Sequence, residues 1–280
     1  MSTRRQAWLL LLPCLAVLLV FFALSQLLMF KASLGRRSPH GGIERVWSGA
    51  NYLRALEPLY LLILARSLAL ATATTVISLL LAYPVAYWIG LRAPERWRSA
   101  LLVLVILPFW TSFLVRMYAW VFLLRSEGLL NTLLGALGLP ALDLLYNDFA
   151  VLLGQVYGEL PFMILPLYAS MARLDGSLLE AAADLGASPG RRLLEVTVPL
   201  TRPGIVAGAL LVFIPSLGAF LAPDLLGGAR TVYIGNLIQS QFAVARDAPF
   251  GAALSFVLSL AVLALLVLFN RSLRTAHPQP

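Results

Sequence analysis

The chain has 280 residues, of which 60% are hydrophobic and only 12% are charged, and its formal net charge is +8. Apart from Lys31, every basic residue is an arginine, and these arginines lie mainly between apolar runs, where they act as topology signals. The composition is that of an integral membrane protein. It leaves no length for a large soluble domain and argues against a nucleic-acid partner.

Apolar runs close to the length of a membrane span, about 20 residues, recur along the chain. They do not alternate with period two, and an open sheet edge cannot face lipid, so strands are excluded. We therefore predict an all-α integral membrane protein with one transmembrane domain over residues 1–280. The six predicted transmembrane helices span about 7–30, 62–90, 99–124, 149–171, 203–226 and 251–270.

The first apolar run follows Arg4 and Arg5, as the hydrophobic region of a signal peptide would. However, Ala23-Leu24-Ser25 is a poor cleavage site, and the run continues to Phe30. We predict that the first helix is retained. Prolines occur in several of the later runs, and membrane helices accommodate such residues through neighbouring groups.

Arginines cluster in the segments 91–98 and 172–202 and in the tail after residue 270. The alternate segments 125–148 and 227–250 carry fewer basic residues, among them Arg230. The rule that basic loops stay inside places both termini in the cytoplasm. The segment 31–59 is an exception, because it is rich in basic residues and lies outside in this topology.

The segment 172–202 is too polar to enter the bilayer. Ser177 and Glu180 have the spacing of a capping box, Gly186 is typical of a helix stop, and Ser188-Pro189 is typical of a second helix start. These features predict a cytoplasmic helix-turn-helix. It is either a well-capped connector or a helix presented to a soluble partner, and the local pattern fits both.

The same segment resembles the "EAA" loop of ATP-binding-cassette (ABC) importer permeases. The resemblance rests on Glu180-Ala181-Ala182, then Gly186, then Val196-Thr197-Val198-Pro199. Valines at 196 and 198 replace the more usual isoleucine and leucine. The resemblance implies a type I ABC importer permease fold. It also implies that Glu180, Ala181, Ala182 and Gly186 belong to a coupling helix that docks on an ATPase subunit.

Three further stretches resemble the spermidine/putrescine branch of these permeases: 107–131, 160–175 and 213–228. The resemblance implies an inner-membrane subunit for polyamine import. It implies as partners a second permease, two ATP-binding subunits and an extracytoplasmic solute-binding protein. A permease for another small organic cation, an amino-acid derivative or an organophosphonate is the alternative.

No catalytic or cofactor site is predicted in this chain. A P-loop needs a lysine after a glycine-rich turn, but Lys31 lies between Phe30 and Ala32, so energy for uphill transport must come from another subunit. The resemblance implies that ATP is bound by partner subunits. The single cysteine, Cys14, and the separated His40 and His277 predict no metal site. An ion-driven secondary transporter is a weaker alternative, because no inverted repeat is visible. A channel is weaker still, because no filter motif is visible.

Two charges fall inside predicted spans, Arg116 in the third and Glu159 in the fourth. For straight helices both lie roughly 12–15 Å below the same membrane surface. A charge exposed to lipid is costly, so each should face protein or water. They form either a structural pair or a cation pathway in which Glu159 is helped by Trp110, Tyr118 and Tyr157. The residues leave both possibilities open.

Gly204 and Gly208 stand four residues apart at the start of the fifth run. Small residues at this spacing allow close approach of two helices. We predict a packing patch, with the second permease as its candidate partner, although the pair can also arise by chance in a glycine-rich membrane protein.

Overall fold

The computed structural model describes residues 3–38, 42–44, 46–228 and 231–275. His40, Arg230 and His277 lie outside the described residues. The chain divides into two compact units. The terminal unit comprises Met1–Leu62 and Leu237–Pro280, and the central unit comprises Ile63–Asn236.

Helices dominate the described residues, which confirms the predicted all-α class. The helices are α1 (Thr3–Ser33), α2 (Ala50–Ala55), α3 (Pro58–Tyr87), α4 (Glu95–Ile106), α5 (Phe113–Leu124), α6 (Leu129–Ala136), α7 (Asp148–Met171), α8 (Gly176–Asp184), α9 (Pro189–Arg192), α10 (Val198–Leu200), α11 (Arg202–Gly218), α12 (Ile234–Ala243) and α13 (Ala248–Thr275). A 3-10 turn lies at Leu107–Trp110, and π-helical turns lie at Trp88–Arg92, Leu193–Thr197 and Pro223–Gly227. Two short strands, β1 (Arg36–Arg37) and β2 (Ile43–Glu44), pair antiparallel.

Four continuous helical segments in the described residues are long and apolar enough to cross a membrane. They are Leu11–Ser33, Pro58–Arg92, Asp148–Met171 and Ala248–Val267. The number rises to six if each of two bent helix pairs is counted as one span. These pairs are Glu95–Trp110 with Phe113–Ala136 and Pro189–Leu200 with Arg202–Gly218.

The predicted third helix, about 99–124, is not continuous. The chain leaves the α-helix after Ile106, passes through the 3-10 turn and bends by 86° before α5 continues. Pro108 lacks an N–H group and its ring opposes a regular preceding turn, which favours a break at this point. The depth inferred for a straight helix therefore does not hold for Arg116.

The predicted fifth helix, about 203–226, ends earlier, at Gly218. Ala219 is extended, with φ −64° and ψ 136°, and a separate π-helical turn follows at Pro223–Gly227. Pro223 falls at the first turn of that segment, where a missing N–H group costs least. Pro215, in contrast, is accommodated inside α11.

The terminal unit is held by contacts between α13 and its neighbours. The rings of Phe30 and Phe256 lie 5.2 Å apart and join α1 to α13. Arg54 of α2 forms a 2.8 Å salt bridge with Asp247, and its guanidinium carbon lies 3.9 Å from the ring centre of Phe250. On α1, large apolar side chains remain open, Phe21 being 68% exposed, as expected for a helix surface covered by lipid or by another membrane helix.

The central unit is built around α7, whose buried residues contribute to two apolar clusters. One cluster includes Met117, Val151 and Leu226. The other includes Ala82, Met163 and Val212. Helix α7 therefore connects the helices of this unit and positions the charge it carries at Glu159.

Candidate coupling segment and translocation site

Helix α8, the first helix of the candidate coupling segment, is capped two residues earlier than predicted. Asp175 is the N-cap, and its carboxylate accepts a 3.0 Å hydrogen bond from the backbone N–H of Ser177. Ser177 is therefore not the cap, and the predicted capping box with Glu180 is wrong. A carboxylate is the stronger acceptor and also complements the positive end of the helix. The hydrogen bond from Ser177 lowers the pKa of Asp175.

The end of α8 confirms the predicted stop at Gly186, which has a φ of 80°. The N–H of Gly186 donates to the carbonyl of Ala183 at 2.9 Å, and the N–H of Ala187 donates to that of Ala182 at 3.0 Å. This pair of bonds is the Schellman motif, which satisfies the last carbonyls of a helix. Ser188 then caps α9, with Pro189 at its first position, as predicted.

The coupling segment is open to its surroundings. No residue of α8 is buried. Glu180, Ala181 and Gly186 are exposed, and Ala182 is half-buried. Leu185 is 88% exposed. An apolar side chain left open at the end of a well-capped polar helix is suited to a partner surface.

Arg116 is buried, being 9% exposed, and lies among aromatic rings. Its guanidinium carbon is 5.0 Å from the ring centre of Phe109 and 5.5 Å from that of Phe113. Its charge attracts the Glu159 carboxylate. However, no salt bridge within 4.0 Å joins Arg116 and Glu159, both of which the structure describes. The two side chains thus lie in one neighbourhood without direct pairing.

The three predicted aromatic residues differ in their surroundings. Trp110 is 85% exposed at the break before α5, and Tyr118 is 47% exposed. Tyr157 packs edge-on against Trp120, with ring centres 5.6 Å apart. The rings that surround Arg116 are instead the phenylalanines at 109 and 113.

Gly204 and Gly208 form a packing patch, but within the chain. A Cβ atom on Gly204 would lie 2.7 Å from the carbonyl oxygen of Pro166, and one on Gly208 would lie 2.7 Å from Met163 Sδ and 3.3 Å from its carbonyl oxygen. Both glycines therefore bring α11 close to α7. The second permease is not needed to explain them.

Residues 82–278 contain the coupling segment and both intramembrane charges. They match the family described as "Binding-protein-dependent transport system inner membrane component". The chain belongs to this family. It is therefore a transport permease component of the inner membrane.

Several relatives of this permease are named spermidine/putrescine transport system permease protein PotB. The protein from Salmonella typhimurium (strain SL1344) is 42% identical, covering 92% of this chain and 90% of the relative. That from Escherichia coli (strain K12) is 41% identical, covering 92% and 94%. That from Haemophilus influenzae (strain ATCC 51907 / DSM 11121 / KW20 / Rd) is 44% identical, covering 79% and 78%.

Solved structures confirm the predicted type I ABC importer permease fold. A bacterial ABC transporter involved in the import of the acidic polysaccharide alginate matches with a TM-score of 0.79 over 97% of this chain and 96% of that chain. The same transporter in complex with an alginate pentasaccharide-bound periplasmic protein matches with a TM-score of 0.76. The sequence identity is 18% in both cases, so the likeness concerns the fold alone.

The permease also contains a polar cluster that sequence reasoning missed. The Tyr233 hydroxyl donates to Asp148 Oδ1 at 2.7 Å, and Arg66 Nη2 lies 3.2 Å from Asp148 Oδ2. The N–H of Ile234 donates to Ser67 Oγ at 2.7 Å. These bonds hold the segment before α12 against the starts of α3 and α7. The residues are far apart in sequence, so no local spacing indicates them.

Two further buried polar residues of this permease were missed near the intramembrane charges. Gln155 is 2% exposed and Ser216 is 3% exposed, and in the described part of the chain their side-chain polar atoms have no hydrogen-bond partner. A signal for Gln155 was present, because it precedes Glu159 by one helical turn and shares its face. Ser216 follows Pro215 in an apolar run and gives no comparable signal.

Proposed function

We propose that this permease imports polyamines such as spermidine and putrescine in an ATP-driven ABC importer. The supporting observation is the identity of 41–44% to the PotB relatives, which extends over 79–92% of this chain. At this level, buried side chains that line a pathway are expected to be shared along with the fold. The alginate transporter, with a chemically unrelated substrate, has a much more distant sequence.

The proposed importer has further components beside this chain. A second, similar permease completes the translocation pathway, two cytoplasmic subunits bind and hydrolyse ATP, and an extracytoplasmic protein delivers the solute. This chain needs no cofactor in that arrangement. Both of its termini lie in the cytoplasm, in accordance with the arginine-rich segments that alternate along the sequence.

The coupling segment, 172–202, docks on an ATP-binding subunit in this proposal. Support comes from the exposure of Glu180, Ala181 and Gly186 and from the open Leu185. Because α8 is capped at both ends by its own residues, it moves as a rigid body when the ATPase pair closes. That movement switches the membrane helices between inward-facing and outward-facing states.

The substrate passes the Glu159 carboxylate. Glu159 Oε2 is buried and has no hydrogen-bond partner within the residues that the structure describes, so it is available to a cation. Arg116 is its neighbour, and the exposed rings of Trp110, Tyr118 and Tyr157 offer faces to an organic cation along the same helices.

The decisive experiment is uptake by the importer reconstituted in proteoliposomes with its ATPases and binding protein. Labelled putrescine and spermidine should enter only when ATP is supplied to the ATPase side. Unlabelled polyamines should compete, whereas amino acids and organophosphonates should not. Uptake that follows an ion gradient without ATP would support the secondary-transporter alternative. ATP-driven uptake of another solute class, with polyamines excluded, would contradict the substrate assignment.

A further inference from the structure

Six side-chain polar atoms of four residues are buried and have no hydrogen-bond partner among the described residues. They belong to three helices of the central unit, α5, α7 and α11. The atoms are Arg116 Nε and Nη1, Gln155 Nε2 and Oε1, Glu159 Oε2 and Ser216 Oγ. The packing of the three helices places these residues at similar heights along the helix axes.

Helices α5 and α7 run antiparallel in a fixed register. The ring of Phe109 packs on that of Phe162, with centres 4.9 Å apart. Phe113 packs against Gly158, because a Cβ atom there would lie 2.7 Å from its ring, and Met117 packs against Gly154, with Sδ 3.2 Å from such an atom. A step of four residues forward, from Phe109 to Phe113 or from Phe113 to Met117, matches a step of four residues back along α7. Arg116 therefore lies level with Gln155.

Helices α7 and α11 also run antiparallel. Gly204 packs against the Pro166–Ser170 turn and Gly208 against Met163. Ser216 follows Gly208 by eight residues on α11, and Gln155 precedes Met163 by eight residues on α7. At about 1.5 Å rise per residue the two side chains are thus at the same height. Glu159 lies one turn away from both.

A dry cluster of this kind is unfavourable. Each buried polar group left without a partner costs about 1–3 kcal/mol. Some hydroxyls of the central unit avoid this cost, since Ser67 and Thr75 donate to the carbonyls of Ile63 and Ala71 in their own helix. Thr74 Oγ1 and Ser78 Oγ on the same helix have no partner among the described residues. Ser216 Oγ makes no such bond. The cluster therefore has the chemistry of a site that receives a polar ligand.

We propose that Gln155 and Ser216, together with Glu159, bind one protonated amino group of the transported substrate. A primary ammonium has three N–H donors and no acceptor. Gln155 Oε1, Ser216 Oγ and Glu159 Oε2 are three unused acceptors, one of which belongs to a carboxyl group. The inference rests on the proposed import of polyamines, and it assigns the site to two residues beside the carboxylate.

Arg116 does not occupy this site. Its guanidinium lies over the rings of Phe109 and Phe113, and it has no salt bridge to Glu159 within 4.0 Å. Cation–π contacts hold an arginine in place without using carboxylate oxygens. The Glu159 carboxylate can thus accept a second cation from the substrate.

Cysteine accessibility in the assembled importer tests the site. Cys14 is the only cysteine of the chain, so Cys14→Ser gives a clean background. Ser216→Cys in that background should react with 2-aminoethyl methanethiosulfonate, a cation, at least about tenfold faster than with the anionic 2-sulfonatoethyl reagent, because of the Glu159 charge. Putrescine should slow the reaction. Thr201→Cys is the matched control, since Thr201 is also fully buried but lies at the N-cap of α11, about 22 Å along the helix from Ser216.

Transport kinetics give a second readout. Gln155→Leu should raise KM for putrescine about tenfold, the loss expected for one hydrogen bond to a charged group. Thr72→Val, which removes a hydroxyl that bonds within its own helix, should leave KM unchanged. A dry structural role for Gln155 predicts the reverse, a more stable protein with unaltered KM, and that result would overturn the proposal.

The labelling outcomes separate the site from the substrate. An amine site would be excluded if Ser216→Cys is not labelled either with or without ATP. Equal rates for both reagents would exclude it as well. Cation-selective labelling that putrescine does not slow would support the site but contradict polyamines as the substrate. Failure of the wild-type importer to take up polyamines, together with cation-selective labelling that putrescine does not slow, leads to that same conclusion.

Discussion

The hydroxyl of Tyr233 and the carboxylate of Asp148, 85 positions apart in the chain, are joined by a hydrogen bond of 2.7 Å. Tyr233 is 4% exposed, whereas the Asp148 side chain is 60% exposed and also faces Arg66. A buried donor is thus tied to a carboxylate at the start of α7. The bond fixes the segment before α12 to the helix that carries Glu159.

Tyr233→Phe should lower the unfolding free energy by about 1 kcal/mol at pH 8. Burial, followed by the bond to Asp148, raises the pKa of Tyr233 above its ordinary value of 10.0. The stabilisation is therefore complete below pH 10 and declines as the pH rises above it, because the unfolded tyrosine ionises first. Thermal unfolding in detergent should show the difference between wild type and variant at pH 8 and a smaller one at pH 11. A difference that does not change with pH would show that the hydroxyl is not responsible.

Leu185→Asp should reduce ATP-driven transport by at least about tenfold if the coupling segment docks, because an exposed apolar contact is replaced by a charge. The side chain is 88% exposed, so the folded chain should be unaffected. Leu137→Asp, at a position 75% exposed after α6, is the control and should transport normally. Gly186→Trp is a less clean test, since its φ of 80° strains any side chain there. Normal coupling in Leu185→Asp would exclude this surface as the docking site.

Gly208→Leu should destabilise the permease itself rather than only its assembly. The new Cβ atom would lie 2.7 Å from Met163 Sδ and 3.3 Å from its carbonyl oxygen, and overpacking of this kind costs about 1–3 kcal/mol. The melting temperature of the isolated chain in detergent should fall. Gly218→Leu, where no atom would lie within 4 Å of an added Cβ atom, should have a smaller effect. If the isolated chain is unchanged and only the complex is lost, the patch contacts the second permease after all.

Glu159→Gln separates the two roles considered for the intramembrane charges. We expect normal assembly with a raised KM for polyamines, because the carboxylate serves the substrate, and Arg116→Gln should not restore transport. The two proteins can be compared by the yield of assembled importer and by uptake kinetics. Poor assembly that Arg116→Gln partly rescues would instead identify a structural pair between α5 and α7.

The apolar runs made the membrane helices predictable, because length and hydropathy are local properties. The break at Leu107–Trp110 was not predictable from Pro108. Pro84, Pro161, Pro166 and Pro215 lie inside continuous helices of the same protein. Whether a proline bends or breaks a membrane helix depends on which neighbours satisfy the freed carbonyls, and these neighbours come from other helices.

The candidate site was predictable only in part, for a similar reason. Gly186 was found because a helix stop needs a special backbone conformation that the residue type reveals. The cap at Asp175 was missed because Ser177 offered an equally regular pattern two residues later. Ser216 and the rings around Arg116 could not be found, since their roles depend on the register between three helices.

Helix α8 is capped by Asp175 at its N-terminal end and by Gly186 and Ala187 at its C-terminal end. Its shape is therefore independent of the membrane helices. Residues 175–187 form a self-contained helical segment. A related permease could receive this segment without loss of fold, and under the proposed docking the exchange would alter only which ATP-binding subunit it recruits. The same proposal implies that partner choice can change by substitution of surface side chains on a fixed helical frame.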